Sequence, residues 1–257
     1  MASKALEAVS SEGAVFPGLD GTPGLILPCP LASIDALLGP MIQFCRLNMD
    51  VALNSGQVWR RIGLMGGTFD PIHQGHLVVA EEARERFRLE RVVFVPNRQP
   101  PHKADCRITS PEHRFIMCVL ATADNPCFAV SREEIDREGP SYTIDTVRAF
   151  RAQLEPKTEL YFITGADAVL EILTWRDPDA LLEECHVVAA YRPGFDLGML
   201  EQALGEEKAR KVQSLPIPAL DISSTDLRTR VRSGRSVRYL TSPAVESYIR
   251  KMGIYRD

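Results

Sequence analysis

Residues 61–87 read RIGLMGGTFDPIHQGHLVVAEEARERF. Arg61 to Gly67 form a short apolar run that ends in paired glycines, the pattern of a buried strand reaching a turn. From Gly75 onward, Val79, Ala83 and Phe87 recur at four-residue spacing, which predicts an amphipathic helix. Between them lie a Thr-Phe-Asp-Pro turn and two histidines three residues apart. At the start of a helix that spacing puts His73 and His76 on one face. There the free N–H groups and the helix dipole favour an anion.

Three readings compete for this stretch: a metal site, a phosphate cradle and a plain strand-to-helix connection. Zinc-binding helices of the His-Glu-x-x-His kind set their histidines four apart with a glutamate after the first, whereas this chain reads His-Gln-Gly-His, and no third ligand accompanies it. Neither the dinucleotide fingerprint G-x-G-x-x-G nor the P-loop G-x-x-x-x-G-K-[ST] occurs anywhere in the chain. The phosphate reading is the expectation: Gly66 and Gly67 let backbone approach a phosphate, and two imidazoles donate to phosphoryl oxygens as charge develops.

The same strand–helix alternation continues to the end of the chain. Apolar runs at 91–96, 127–136, 159–167, 186–194 and 215–224 read as strands. Helical patterns occupy 110–123, 143–154, 168–175, 198–212, 225–234 and 243–253, with Ser110 as N-cap and Pro111 at the first helical position. Buried strands with helical crossovers predict a doubly wound parallel α/β sheet, whose ligand sits beyond the carboxyl ends of the strands at the switch point. Residues 1–58 carry few charges and little periodicity, so the expected division is a poorly ordered N-terminal extension at 1–58 and one domain at 59–257. Met49, just ahead of the first strand, is a candidate alternative start.

Composition narrows the function classes. The 257 residues are 45% hydrophobic and 25% charged, with a formal net charge of −4. That balance argues against broad nucleic-acid or anionic-membrane binding, although arginines cluster from Arg228 to Arg238. Six cysteines lie scattered without a CxxC pair, as in a reduced, cytoplasmic protein. No run is long and apolar enough to span a membrane; Pro28, Pro30, Asp35 and Pro40 break the best candidate, at 25–44.

Four further stretches carry candidate chemistry. In DISSTDLRTRV, Ser223, Ser224 and Thr225 open another helix, and Arg228 comes round to the same face, either to clamp a polyphosphate or to point at solvent. NRQPPHKAD is a stiff loop ending in the mobile cation Lys103. REGPSYTIDT presents Tyr142, Thr143 and consecutive backbone N–H groups ahead of a helix. GADAVLEILTW ends a strand with Gly165 and Asp167, where Asp167 suits a ribose hydroxyl, and carries Trp175, which either stacks on a planar ring or packs in the core.

The ordered set GGTFDPIHQGHL, PPHK, GPSYTIDTV, GAD with a downstream Trp, RPG and ISSTDLR, spread over roughly residues 61–256, resembles the bacterial nicotinate-nucleotide adenylyltransferases. These are H-x-G-H nucleotidylyltransferases of NAD biosynthesis with a Rossmann-like fold. The resemblance implies transfer of AMP from ATP to nicotinate mononucleotide, with Mg²⁺ bound to ATP and no metal site on the protein. It implies catalytic roles for His73, His76 and Arg228. ATP would meet Gly66, Gly67, Thr68, Phe69, His76, Gly165, Asp167, Ile222, Ser223, Ser224, Thr225 and Arg228, and the mononucleotide would meet Lys103, Tyr142, Thr143 and Trp175. Where many relatives carry an aromatic, this chain has Arg176. A cytoplasmic enzyme without nucleic-acid or membrane partners is expected, with room for a homo-oligomer. The rival readings are adenylyl transfer to nicotinamide mononucleotide or phosphopantetheine, and a non-catalytic nucleotide sensor.

Overall fold

The computed structural model describes residues 58–100 and 108–256. The proposed extension, up to residue 57, and Lys103 lie outside the described residues. Six strands form one sheet: β1 (Arg61–Gly67), β2 (Arg91–Pro96), β3 (Phe128–Val130), β4 (Glu159–Gly165), β5 (His186–Tyr191) and β6 (Val212–Pro216). Their order across the sheet is β3-β2-β1-β4-β5-β6, and every neighbouring pair is parallel. Successive strands step outward from β1 in one direction, and β4 restarts on its other side. The switch point therefore falls between β1 and β4, where the strand ends leave a crevice.

The helices among the described residues are α1 (Gln74–Phe87), α2 (Pro111–Thr122), α3 (Glu133–Asp136), α4 (Thr143–Arg151), α5 (Ala166–Leu170), α6 (Pro178–Glu184), α7 (Gly198–Leu204), α8 (Glu206–Ala209), α9 (Ser224–Arg232) and α10 (Pro243–Met252), with a 3-10 turn at Ile172–Thr174. Ser110 caps α2 by accepting from the His113 N–H, with Pro111 opening the helix. Both faces of the sheet are covered. On one, Ile62, Leu64, Val93 and Val95 pack with Ile144, Val147 and Phe150 of α4. Each such side chain taken out of water contributes about 1.5–3 kcal/mol. That double coverage explains why the strands read as near-continuous apolar runs rather than alternating ones.

The structure corrects several element boundaries. The strand at 159–167 ends at Gly165, and the helical run 168–175 is a short helix from Ala166 to Leu170 followed by the 3-10 turn. The run 127–136 does not stay extended: β3 stops at Val130, Ser131 Oγ accepts from the Glu133 N–H, and a helical turn follows. Residues 198–212 are not one helix, because Gly205 at φ 79° separates α7 from α8 and the tail of the run, from Val212, enters β6. The last strand is Val212–Pro216 rather than 215–224; beyond the N–H of Ile217, prolines and loop backbone lead to α9.

Candidate active site

The carboxyl ends of β1 and β4 open into two hollows. The larger, about 650 Å³, lies among the start of α1, the β4–α5 junction and the loop before α9. The smaller, about 200 Å³, lies on the β2 side, against the start of α4 and the segment around Trp175. Gly66 and Gly67 line the smaller hollow, and His73 and His76 line the larger.

The histidines are held by the turn before them. Phe69 is buried at φ 50°, in the left-handed region, and its ring meets His76 edge-on at 5.0 Å and Phe94 at 5.8 Å. Gly67 has no side chain because that Phe69 ring fills the space: an added Cβ would stand 2.9 Å from it. Gly75, between the histidines, admits the His73 ring, whose Nδ1 would lie 3.1 Å from a Cβ there. The two imidazoles stack with centroids 3.7 Å apart.

The His73 backbone N–H donates to His76 Nδ1 at 3.2 Å. A ring nitrogen that accepts carries no proton, so the neutral His76 ring has its proton on Nε2. Burial drives both imidazoles toward the neutral form. His73 titrates at about 4, lowered by desolvation and then by the nearby Arg192 cation. His76 lies well below the ordinary histidine value through burial, with His73 adding to the effect. His73 Nδ1 is buried without a hydrogen-bond partner among the described residues.

A ring of distant residues fixes the 68–74 turn. The fully buried Arg114 donates to Thr68 O at 2.8 Å and to Thr109 O at 2.9 Å. Arg228 donates to Asp70 O at 2.8 Å and to Thr225 Oγ1 at 3.1 Å. Ser224 Oγ donates to Pro71 O at 2.9 Å, and Thr241 Oγ1 to Ile72 O at 2.8 Å. The Asp70 carboxylate accepts from Tyr255 OH at 2.6 Å and from the Thr109 N–H at 3.3 Å.

The hydroxyls at the start of α9 therefore already have partners. Ser223 Oγ caps the helix by accepting from the Asp226 N–H at 3.1 Å. What this helix start offers an anion is its first-turn N–H groups, the Arg228 charge and the Ser223 O–H, while the Ser224 O–H is spent on Pro71 O. Gly165 and Asp167 stand exposed at the start of α5 on the wall of the larger hollow, which Ile222, Ser223 and Ser224 also line. In the smaller hollow, Tyr142 and Thr143 open α4, and Trp175 packs edge-on against Phe162 at 6.1 Å.

Several contributors escape a reading of motifs. Arg192, beyond β5, lines the larger hollow; its signal was the RPG that follows an apolar strand. Glu134 lines the smaller hollow with its carboxyl raised by burial, and accepts from Thr146 Oγ1 at 2.6 Å. Arg114 had a weaker signal, a lone cation on the apolar face of HRFIMCVL.

Residues 64–230 match the cytidylyltransferase-like family. A "Probable nicotinate-nucleotide adenylyltransferase" of Moorella thermoacetica is 57% identical over 199 residues, covering 76% of this chain and 92% of the relative. One from Desulfitobacterium hafniense strain Y51, with the same description, is 50% identical over 200 residues, covering 77% and 96%. In fold, the chain is similar to the Plasmodium falciparum nicotinic acid mononucleotide adenylyltransferase solved in complex with NaAD. That likeness has a TM-score of 0.60 at 20% identity, over 76% of this chain and 97% of the other.

Proposed function

The chain belongs to the nicotinate-nucleotide adenylyltransferases of the cytidylyltransferase-like family, and from that premise we propose how its two hollows carry out the reaction. The enzyme transfers AMP from ATP to nicotinate mononucleotide, giving nicotinate adenine dinucleotide and pyrophosphate in NAD biosynthesis. ATP occupies the larger hollow, with Gly165, Asp167 and Ile222 along its nucleoside. The mononucleotide occupies the smaller one, its pyridine ring beside Trp175 and its carboxylate toward the N–H groups at Tyr142 and Thr143. The resemblance assigns Lys103, outside the described residues, to the same substrate. The glycines at 66 and 67 fall on the mononucleotide side of the crevice, with Thr68 and Phe69 carrying the turn onward to the ATP phosphates.

An oxygen of the mononucleotide 5′-phosphate bonds to the α-phosphorus of ATP. The bond from that phosphorus to the oxygen bridging the β-phosphorus breaks, and pyrophosphate leaves. The attacking phosphate is already ionised, so no base is needed, and catalysis consists of positioning and charge stabilisation. His76 donates its Nε2 proton to an α-phosphoryl oxygen as negative charge grows there. His73 faces the phosphates beside it, and Arg228 with the α9 N–H groups at Ser223, Ser224 and Thr225 holds the departing pyrophosphate. The observation that carries this reading is the bond to His76 Nδ1, because it leaves a neutral ring with its donor on the other nitrogen.

Mg²⁺ is assigned to the ATP itself. Asp70 is occupied by Tyr255 and Thr109, and among the described residues no three His, Cys, Asp or Glu gather around a common point. The residues present suit an ion carried by phosphate oxygens and water. When bound, it offsets the triphosphate charge.

A cytoplasmic enzyme without nucleic-acid partners fits the local chemistry. Two arginines of the arginine-rich stretch pair within the protein, Arg230 with Asp226 at 2.6 Å and Arg238 with Glu246 at 3.7 Å. Cys118 and Cys185 are free and buried, and no described helix is long and apolar enough to cross a membrane.

The test is pyrophosphate release from ATP and Mg²⁺ with nicotinate mononucleotide, nicotinamide mononucleotide and phosphopantetheine as acceptors. The acid mononucleotide is expected to exceed the amide in kcat/KM by about tenfold to a hundredfold, since an amide leaves one buried donor unpaired. Equal efficiency with acid and amide would overturn the acceptor assignment, and ATP binding without pyrophosphate release would leave a sensor.

A further inference from the structure

Of the described residues that line the smaller hollow, Arg176 is the only one with a cationic side chain. Its guanidinium carbon lies 4.9 Å from the centre of the Tyr142 ring, over its face. Its NH1 is 3.4 Å from Asp145 Oδ2, one turn into α4. The side chain thus links the segment after Trp175 to the start of α4 beside the hollow. Stacking fixes the plane of the guanidinium, and the long contact to Asp145 occupies a single donor.

The other described residues that line the hollow bring no cationic side chain to an anionic guest. Glu134 puts a carboxyl there instead, tied to Thr146 Oγ1. Backbone N–H groups at the start of α4 orient a carboxylate, but they carry only partial charge. An acceptor whose ring bears a full negative charge therefore gains from one planar, always-charged fork at the rim.

We propose that Arg176 is a specificity-determining residue for the acceptor: its guanidinium, parked on Asp145 in the free enzyme, turns one edge to the ring carboxylate of the mononucleotide while remaining stacked on Tyr142. This rests on the reading that the smaller hollow takes nicotinate mononucleotide. Asp145 is partly exposed and is re-solvated when it gives up the pair. The α4 N–H groups and Arg176 then divide the task, the amides fixing the orientation of the carboxylate and the arginine answering its charge.

Arg176→Gln tests the division, because glutamine keeps polar reach and removes the charge at an exposed position. Steady-state kinetics with nicotinate mononucleotide are compared with turnover of nicotinamide mononucleotide and with its Ki as a competitor. The expected result is a loss of about tenfold in kcat/KM for the acid, mainly through KM, at the low end for a charge-assisted hydrogen bond. Turnover and Ki for the amide stay within about twofold. Parallel losses with both acceptors, a loss confined to kcat, or no loss with the acid would each overturn the proposal. Failure of the intact enzyme to release pyrophosphate with nicotinate mononucleotide would strike the underlying reading instead.

Discussion

The two sides of the crevice are built to different tolerances. On the transfer side, the turn 68–74 is held from five separate places along the chain: Arg114, Thr109, the start of α9 with Arg228, the 240–241 segment and Tyr255. Its Gln74 N–H also donates to Leu240 O at 2.9 Å. On the acceptor side, the rim is joined by Ser141 N to Gln99 O at 3.0 Å, by Arg98 N to Ser141 Oγ at 3.1 Å, and by the half-exposed Arg176 bridge. The contrast follows from the chemistry. A donor that stabilises developing charge must already stand in place to within a fraction of an ångström, whereas a recognition pocket can close around its guest. Changes on the transfer side should move kcat and stability, and changes on the acceptor side should move KM.

The largest expected effect is from His76→Ala. It should lower kcat about a hundredfold, about 3 kcal/mol, with little change in the KM for ATP. A variant that keeps kcat and loses ATP affinity would erase the distinction between the two sides.

Titration probes the same centre. His73 is held at about 4, below its ordinary value of 6.5, so the folded state prefers the neutral ring. The contribution to stability is therefore full above about pH 6.5 and fades as pH falls toward 4. By pH 4 about 3 kcal/mol is lost, from the size of the shift. Denaturant unfolding followed from pH 7 to pH 4 should show at least this slope, and His73→Gln should reduce it, the remainder coming from His76, which burial also holds neutral.

Tyr255→Phe removes one tie to the turn and leaves the buried Asp70 with the Thr109 N–H. A fall of about 2 kcal/mol in unfolding free energy is expected, together with a drop in kcat that KM does not share. An unchanged denaturation midpoint would show that the other ties suffice.

Trp175→Ala should act on the acceptor side alone. The KM for nicotinate and nicotinamide mononucleotides should rise together by about tenfold, since stacking on an aromatic ring is blind to acid versus amide. A changed acid-to-amide ratio would place selectivity on the ring rather than on the donors around it.

Smallest of all is the effect of shortening the chain to begin at Met49. We propose that residues 1–58 belong to neither side, so soluble yield and both kinetic constants should match those of the full chain. Reduced turnover in the shorter chain would assign the extension a part in the site.

The order of strands and helices and the crevice at the switch point were legible in the sequence. Apolar periodicity, the Ser110 cap and the glycines ending β1 report local geometry, which depends on residues a few positions apart. The histidine pair was legible for the same reason, since three-residue spacing at a helix start fixes a shared face. The extended run at 127–136 failed because its second half is governed by longer contacts, such as Arg132 with Glu112 at 2.8 Å, and by a hydroxyl cap two residues away. Likewise, the sequence placed Ser223 and Ser224 at a helix start, and only the folded chain shows Ser223 Oγ accepting from the Asp226 N–H and Ser224 Oγ donating to Pro71 O.

What the tertiary structure alone decided is which partner each polar group takes. Residues 70 and 255, or 71 and 224, meet across 185 and 153 positions of sequence. No local pattern encodes such a pair, because burial demands only that a polar group find some partner and the packing of distant elements chooses which. The state of the His76 ring was settled the same way. Its spacing from His73 belongs to the sequence, but the bond to its Nδ1 exists only once the turn is clamped with the His73 N–H aimed at it.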